Sequence, residues 1–162
     1  MKLSDINIDA FNLFHDHWAL LTAGSFVSHN SMTISWGEMG TLWNKKVVTV
    51  FVKPCRYTYQ FMEENEYFVV SFFEEKYRDS LSKMGSVSGE DINKDEFSNL
   101  TPHNHNSLTI YKEASLTIIC KKIYHNDLDI KQIPEEEKVL YYSHQAPHRM
   151  YIGEVIEIID RR

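Results

Sequence analysis

Two short stretches restrict the fold of this chain more than any other feature: residues 46–52, KVVTVFV, and residues 67–73, YFVVSFF. Almost every position is β-branched or aromatic, and such side chains favour an extended backbone because they pack well on a pleated surface. Neither stretch alternates between polar and apolar as a strand with one wet face would. Both therefore predict strands buried on two sides, as in a barrel wall lying under a helix or a partner subunit.

Around them, residues 6–14 carry Ile6, Ala10, Leu13 and Phe14 at the spacing of a short amphipathic helix. Residues 18–22 predict a strand ended by a turn at Ala23-Gly24, and residues 31–36 carry strand formers at Thr33, Ile34 and Trp36. Pro54 ends the first long strand, and Thr58 is placed to cap a helix reaching residue 65, with Glu63 and Glu64 on its outer face. Residues 75–84 predict a helix with Tyr77, Leu81 and Met84 on one side. A Gly/Ser loop (85–89), a short helix (91–97) and two long strands (115–124 and 150–159) follow. No linker, repeat or low-complexity tract interrupts residues 1–162, which read as one domain. Strands mixed with short helices, without βα alternation, indicate a barrel with insertions and not a Rossmann fold.

Charge and cysteine content narrow the functional classes. Seventeen basic against twenty-three acidic residues, with no basic stripe, argue against a nucleic-acid binder. No apolar run approaches a membrane span, and Met1-Lys2-Leu3-Ser4-Asp5 lacks the apolar stretch of an export signal. Cys55 and Cys120 are too few for a disulfide framework, so a reducing cytoplasm fits best. The nine Phe, nine Tyr and three Trp can fill a β-rich core or line a pocket for a flat ligand, and composition does not separate these uses.

Four segments bear groups suited to chemistry, each with a plainer structural explanation. Asn30-Ser31-Met32-Thr33-Ile34-Ser35-Trp36 sets an amide and hydroxyls on a strand start, suited to a ring edge or to nothing beyond a polar strand edge. Lys53-Pro54-Cys55-Arg56-Tyr57-Thr58 leads from a strand end into a helix, a place for a phosphate or for an ordinary cap. Residues 85–94 offer glycines, Ser86, Ser88 and Lys94, without the Gly-Lys-Ser/Thr ending of a Walker loop. His148 and Arg149 open the last strand, where Gly153 marks a bulge or a close backbone contact. The pairs His15/His17 and His103/His105 suit a bridging metal, yet no Cys pair or HExxH helix accompanies them. Nor is there a Gly-x-Ser-x-Gly elbow for a serine hydrolase.

In this order the four segments resemble the flavin reductase-like, FMN-binding family, over roughly residues 11–159. The likeness is to its branch with an Asn-Ser-Met-Thr-x-Ser-Trp-Gly motif, here Asn30 to Gly37, followed by Gly40-Thr41-Leu42-Trp43. Arg56-Tyr57-Thr58, Ser88-Gly89-x-Asp91 with Lys94, and His148-x-Met150-Tyr151-Ile152-Gly153-Glu154-Val155 continue it. Glu90 and Asn93 depart from it, standing where the branch has Arg and Asp.

The resemblance implies a mainly β Greek-key split barrel with short helices, forming a homodimer with FMN near the subunit interface. It implies that Asn30, Ser31, Met32, Thr33, Ile34, Ser35 and Trp36 line the flavin ring and ribityl chain. Arg56, Tyr57 and Thr58, with Ser88 and Lys94, would surround the phosphate. His148 would stand near the nicotinamide of NAD(P)H or near the flavin. Two activities then compete: an NAD(P)H-dependent flavin reductase, and an FMN-binding electron carrier without an efficient nicotinamide site.

Overall fold

A computed structural model describes residues 6–162, and the reading of residues 1–5 as lacking an export signal lies outside the described residues. The strands are β1 (Ala19–Ser25), β2 (Ser28–Ile34), β3 (Gly37–Leu42), β4 (Lys45–Val52), β5 (Tyr67–Phe72), β6 (Pro102–His105), β7 (Leu108–Tyr111), β8 (Leu116–Asp127) and β9 (Arg149–Asp160). The helices are α1 (Thr58–Glu64), α2 (Arg78–Ser86), α3 (Lys94–Ser98) and α4 (Glu135–Tyr142). Seven strands form one sheet in the order β2-β1-β5-β8-β9-β4-β3, while β6 and β7 make a separate hairpin. All the pairings are antiparallel.

The chain itself dictates the curl of the sheet. Strands β2 and β3 occupy its opposite edges, yet only Ser35 and Trp36 separate them in sequence. Six inter-strand gaps laid flat would hold those edges about 29 Å apart. Three Cα–Cα steps reach at most about 11 Å. The sheet therefore rolls up until its edges approach without pairing, giving the expected split barrel.

Both predicted walls are buried on two sides. Inside the barrel, Val48, Val50 and Val52 of β4 meet Phe68, Val70 and Phe72 of β5 in one cluster, together with Leu21, Met32, Ile34 and Ile118. Outside, Leu20 and Phe73 pack under Leu81 and Met84 of α2 and Tyr111 of β7, and Val69 packs under Ile110. Helix α2 and the β6–β7 hairpin thus supply the cover that the β5 sequence demands. Gly153 meets the close approach read from its place in the strand: an added Cβ would lie 2.6 Å from Cys120 Cβ and from the Phe68 ring. It also lies opposite Lys122, where the β8–β9 register shifts.

Several boundaries move for local reasons. The first turn falls at Phe26 and Val27, because Gly24 stays in the ladder opposite His29. The N-terminal helix begins later than residue 6 and includes a π-helical segment, Asn12–His17, with Asp9 Oδ1 accepting from Asn12 N at 3.1 Å. The helix after β5 starts as a single 3₁₀ turn, Glu75–Tyr77, before α2 carries on to Ser86. Helix α3 starts at Lys94 and not at residue 91, because Asn93 caps it by accepting from the Asp95 and Glu96 amides.

Candidate functional site

The polar segments converge beside the outer edge of β2. After β4, Pro54 cannot extend the ladder, and the chain turns through Arg56 N–Lys53 O (3.0 Å) and Tyr59 N–Arg56 O (2.9 Å) into α1. Thr58 does not cap this helix as its position predicted. It is the first helical residue, fully buried, and its hydroxyl accepts from Asn30 Nδ2 at 2.8 Å. That bond ties the start of α1 to β2 and leaves Arg56 at the mouth of a cleft of about 240 Å³. Asn30, Cys55, Tyr57, the 85–88 loop and Lys94 complete the lining.

Two cations converge there. The Arg56 guanidinium leans on Gly85 O at 3.5 Å, a long contact that leaves most of its five N–H donors free. Lys94 is buried, and its Nζ donates to Ser31 O and Met84 O, each at 2.9 Å. An ammonium has three N–H groups, so one remains for the cleft. Burial, with the Arg56 charge beside it, lowers Lys94 to about 8. An anion in the cleft would relieve both effects. Ser88 Oγ accepts from Glu90 N at 3.2 Å, and its own hydrogen remains available to a ligand. Gly89 is required by close approach, since a Cβ there would lie 1.9 Å from Asn30 Oδ1. Donors of this number and sign, on a cleft this small, fit a phosphate monoester.

Strand β2 runs from that cleft along an adjoining one of about 310 Å³, bordered by Trp18, Thr33, Ser35, Leu81 and Gly85. As a sheet edge it presents unpaired backbone groups there, and Ser31 O, which takes the Lys94 ammonium, is one of them. The side chains divide differently from the sequence expectation. Met32 and Ile34 point into the barrel core, so only their backbone is left for a ligand. Ser31 Oγ is committed to Thr22 Oγ1 (2.8 Å) and Tyr111 OH (2.9 Å), and Thr33 Oγ1 donates to Leu81 O. A further cavity, about 930 Å³, is mainly apolar, lying between the N-terminal segment and residues 35–39 with Phe51. It meets the β2 edge at Ser35 and Trp36.

Past this edge Trp36 is half exposed, with the Tyr141 ring edge-on at 5.0 Å and the His148 ring at 5.1 Å. His148 Nδ1 lies 2.7 Å from Tyr142 OH. Burial, with the Lys53 charge nearby, pushes His148 down to about 4, so it is neutral at pH 7 and shares one hydrogen with that hydroxyl. Tyr141 and Tyr142 of α4 are not singled out by the sequence patterns above. Their one signal was the aromatic pair closing an amphipathic helix.

The histidine pairs find other partners: His15 contacts Asp16, His17 contacts Glu75 and His105 contacts Glu157. Among the described residues no group of three or more His, Cys, Asp or Glu is placed to hold a metal ion.

Comparison with known families matches residues 12–161 to the flavin reductase like domain. No curated protein matches the sequence. Among solved structures, flavoredoxin from Methanosarcina acetivorans superposes with a TM-score of 0.70 at 21% identity, over 96% of this chain and 74% of that one. The FMN-binding protein from Thermus thermophilus with bound p-hydroxybenzaldehyde gives 0.71 at 14% identity, over 99% and 80%. The Streptomyces globisporus NADH:FAD oxidoreductase in complex with NAD and FAD fragments gives 0.67 at 15% identity, over 89% and 74%.

Proposed function

Because the chain belongs to the flavin reductase like domain family, we propose that it is a single-domain flavoprotein that binds FMN and is reduced by NAD(P)H. The observation that carries this reading is the meeting of Arg56, Lys94, Thr58 and Ser88 around one phosphate-sized cleft at the end of the free β2 edge. In this reading the phosphate takes charge-assisted bonds from Arg56 and the third N–H of Lys94. The backbone edge of residues 31–35 faces the ribityl chain and ring, and Trp36 and His148 border the ring beyond.

A bound flavin supplies the redox chemistry, accepting hydride from a nicotinamide and passing electrons on. The chain's own part is orientation and exclusion of water. Neutral His148, held by Tyr142, offers its other ring nitrogen to position a nicotinamide amide and moves no proton in the hydride step. One observation favours the electron-carrier alternative: Tyr141 and Tyr142 pack over Trp36 and His148, so a nicotinamide needs α4 to give way. Anaerobic mixing of the FMN-loaded protein with NADH or NADPH separates the two. Bleaching of the flavin band within seconds supports the reductase, and no bleaching with either nucleotide leaves the carrier.

We also read the protein as a homodimer in a reducing compartment such as the cytoplasm. Phe11, Trp43, Val139, Leu140 and Ile156 are at least half exposed, an apolar surface that a second subunit would cover. Cys55 and Cys120 are free thiols, and no described helix is long and apolar enough to cross a membrane.

A further inference from the structure

Helix α3 is five residues long and carries Lys94 at its first position, so something must hold it against the barrel. The next residue, Asp95, does so through both oxygens. Its Oδ1 accepts from Tyr111 OH at 2.6 Å, and its Oδ2 lies 2.9 Å from His29 Nε2. Tyr111 OH also meets Ser31 Oγ at 2.9 Å, and Ser31 O in turn accepts from Lys94 Nζ at 2.9 Å. With the peptide link between Asp95 and Lys94, these contacts close a circuit, Ser31–Tyr111–Asp95–Lys94–Ser31, linking β2, β7 and α3.

The protonation state of His29 follows from its surroundings. Nδ1 faces Phe26 O at 3.2 Å and Nε2 faces the Asp95 carboxylate, and both are acceptors. Only the imidazolium, with two N–H donors, satisfies both. Burial works against that charge, but the Asp95 contact outweighs it and raises His29 above the ordinary value. Burial likewise works against Asp95, and the His29 and Tyr111 bonds, with the Lys94 charge, hold its carboxyl below the usual range. The other charged groups facing the circuit are Arg56, beside Lys94, and Glu113, near Tyr111.

We propose that Asp95, clamped by His29 and Tyr111, is the positioning residue that sets how strongly Lys94 binds the phosphate of the ligand, and that it links this affinity to pH. The inference rests on the FMN reading above. Asp95 does not line the phosphate cleft; with His29, Asn30 and Lys94 it lines a separate adjoining cleft of about 310 Å³. Its effect is selective: it changes the affinity of a phosphorylated flavin and leaves that of an unphosphorylated one alone.

The sign of the pH dependence follows from the charges. Below the raised His29 value the imidazole is protonated and the clamp is closed. As pH rises past the raised His29 value the ion pair is lost, and as it passes about 8 Lys94 itself discharges. FMN affinity therefore falls on the alkaline side. Neutralising Asp95 returns both cations toward earlier deprotonation, so the fall begins at lower pH.

The test is fluorescence titration of FMN and riboflavin into wild type, Asp95→Asn and His29→Gln from pH 6 to 9, with ligand-free melting curves as a check on folding. The expected result at pH 7 is FMN binding weakened roughly five- to tenfold in each variant, with riboflavin changed less than twofold. The alkaline fall in Asp95→Asn should begin at lower pH than in wild type. Equal losses for both flavins would make Asp95 merely structural, and wild-type affinities and pH profile in a folded variant would also overturn the proposal. If Asp95→Asn does not fold, His29→Gln is judged by the same selectivity. If wild type binds neither flavin, the FMN reading itself falls and this inference with it.

Discussion

Replacing Gly89 with alanine would place a methyl carbon 1.9 Å from Asn30 Oδ1 and 2.9 Å from its Cγ. No real contact is that short, so the Asn30 amide must turn away. Asn30 is buried, and its Nδ2 holds Thr58 Oγ1 at 2.8 Å. Turning the amide breaks that bond and leaves a buried hydroxyl short of a partner, at a cost of about 1–3 kcal/mol. For a chain of this size that lowers the melting temperature by several degrees, at about 2–4 °C per kcal/mol. The cause is isolated by a double-mutant cycle on the ligand-free protein. In an Asn30→Ala background those two atoms are gone and the nearest remaining neighbour is Tyr57 Cδ1, at 3.2 Å. Gly89→Ala should then cost less than about 0.5 kcal/mol, a coupling of at least about 0.5 kcal/mol. Equal costs in the two backgrounds, or none in either, would refute the claim that this glycine exists to admit the Asn30 side chain.

Four further outcomes are expected. His148→Ala should leave FMN affinity within about twofold but slow flavin reduction by NADH or NADPH about 10–100-fold in stopped flow. Because His148 titrates near 4 in the fold against an ordinary 6.5, the unfolded chain binds the extra proton between those values. Stability therefore falls as pH drops from 6.5 toward 4, and urea melts of His148→Ala should show a shallower acid loss. Maleimide should label exposed Cys55 well before buried Cys120, and FMN should slow the Cys55 reaction because that residue lines the phosphate cleft; unchanged labelling would place the ligand elsewhere. Sedimentation at micromolar concentration should give a dimer, and a lone 19.1 kDa species would contradict the covered-surface argument.

How much of this was legible in the sequence depended on whether a residue's role is local. The β4 and β5 walls were readable because consecutive β-branched and aromatic residues leave no wet face, and covers were duly found outside β5. Gly153 was readable as a close contact because glycine inside a strand has few other reasons to be there. The cleft was only partly legible. The segments containing Asn30, Arg56, Thr58, Ser88 and Lys94 line one cleft, yet Thr58 serves Asn30 and not the helix end. Strand periodicity alone would have sent Met32 and Ile34 to one face and Ser31 and Thr33 to the other, but not which face meets the core. The clamp on Lys94 was invisible, since His29, Asp95 and Tyr111 lie on three separate elements and carry no shared motif. Asn93, a departure from the family pattern, proved to be a helix cap, a role that asparagine fills as well as aspartate.

The central claim is that the Arg56–Lys94 cleft holds the phosphate of a flavin mononucleotide, and parallel titration of wild type with FMN and riboflavin tests it most directly. Two charge-assisted bonds, each worth about 1.5–3 kcal/mol, should make FMN bind at least about tenfold tighter, and Arg56→Ala should close roughly half of that gap in free energy. Superimposable curves for FMN and riboflavin in wild type would contradict the account.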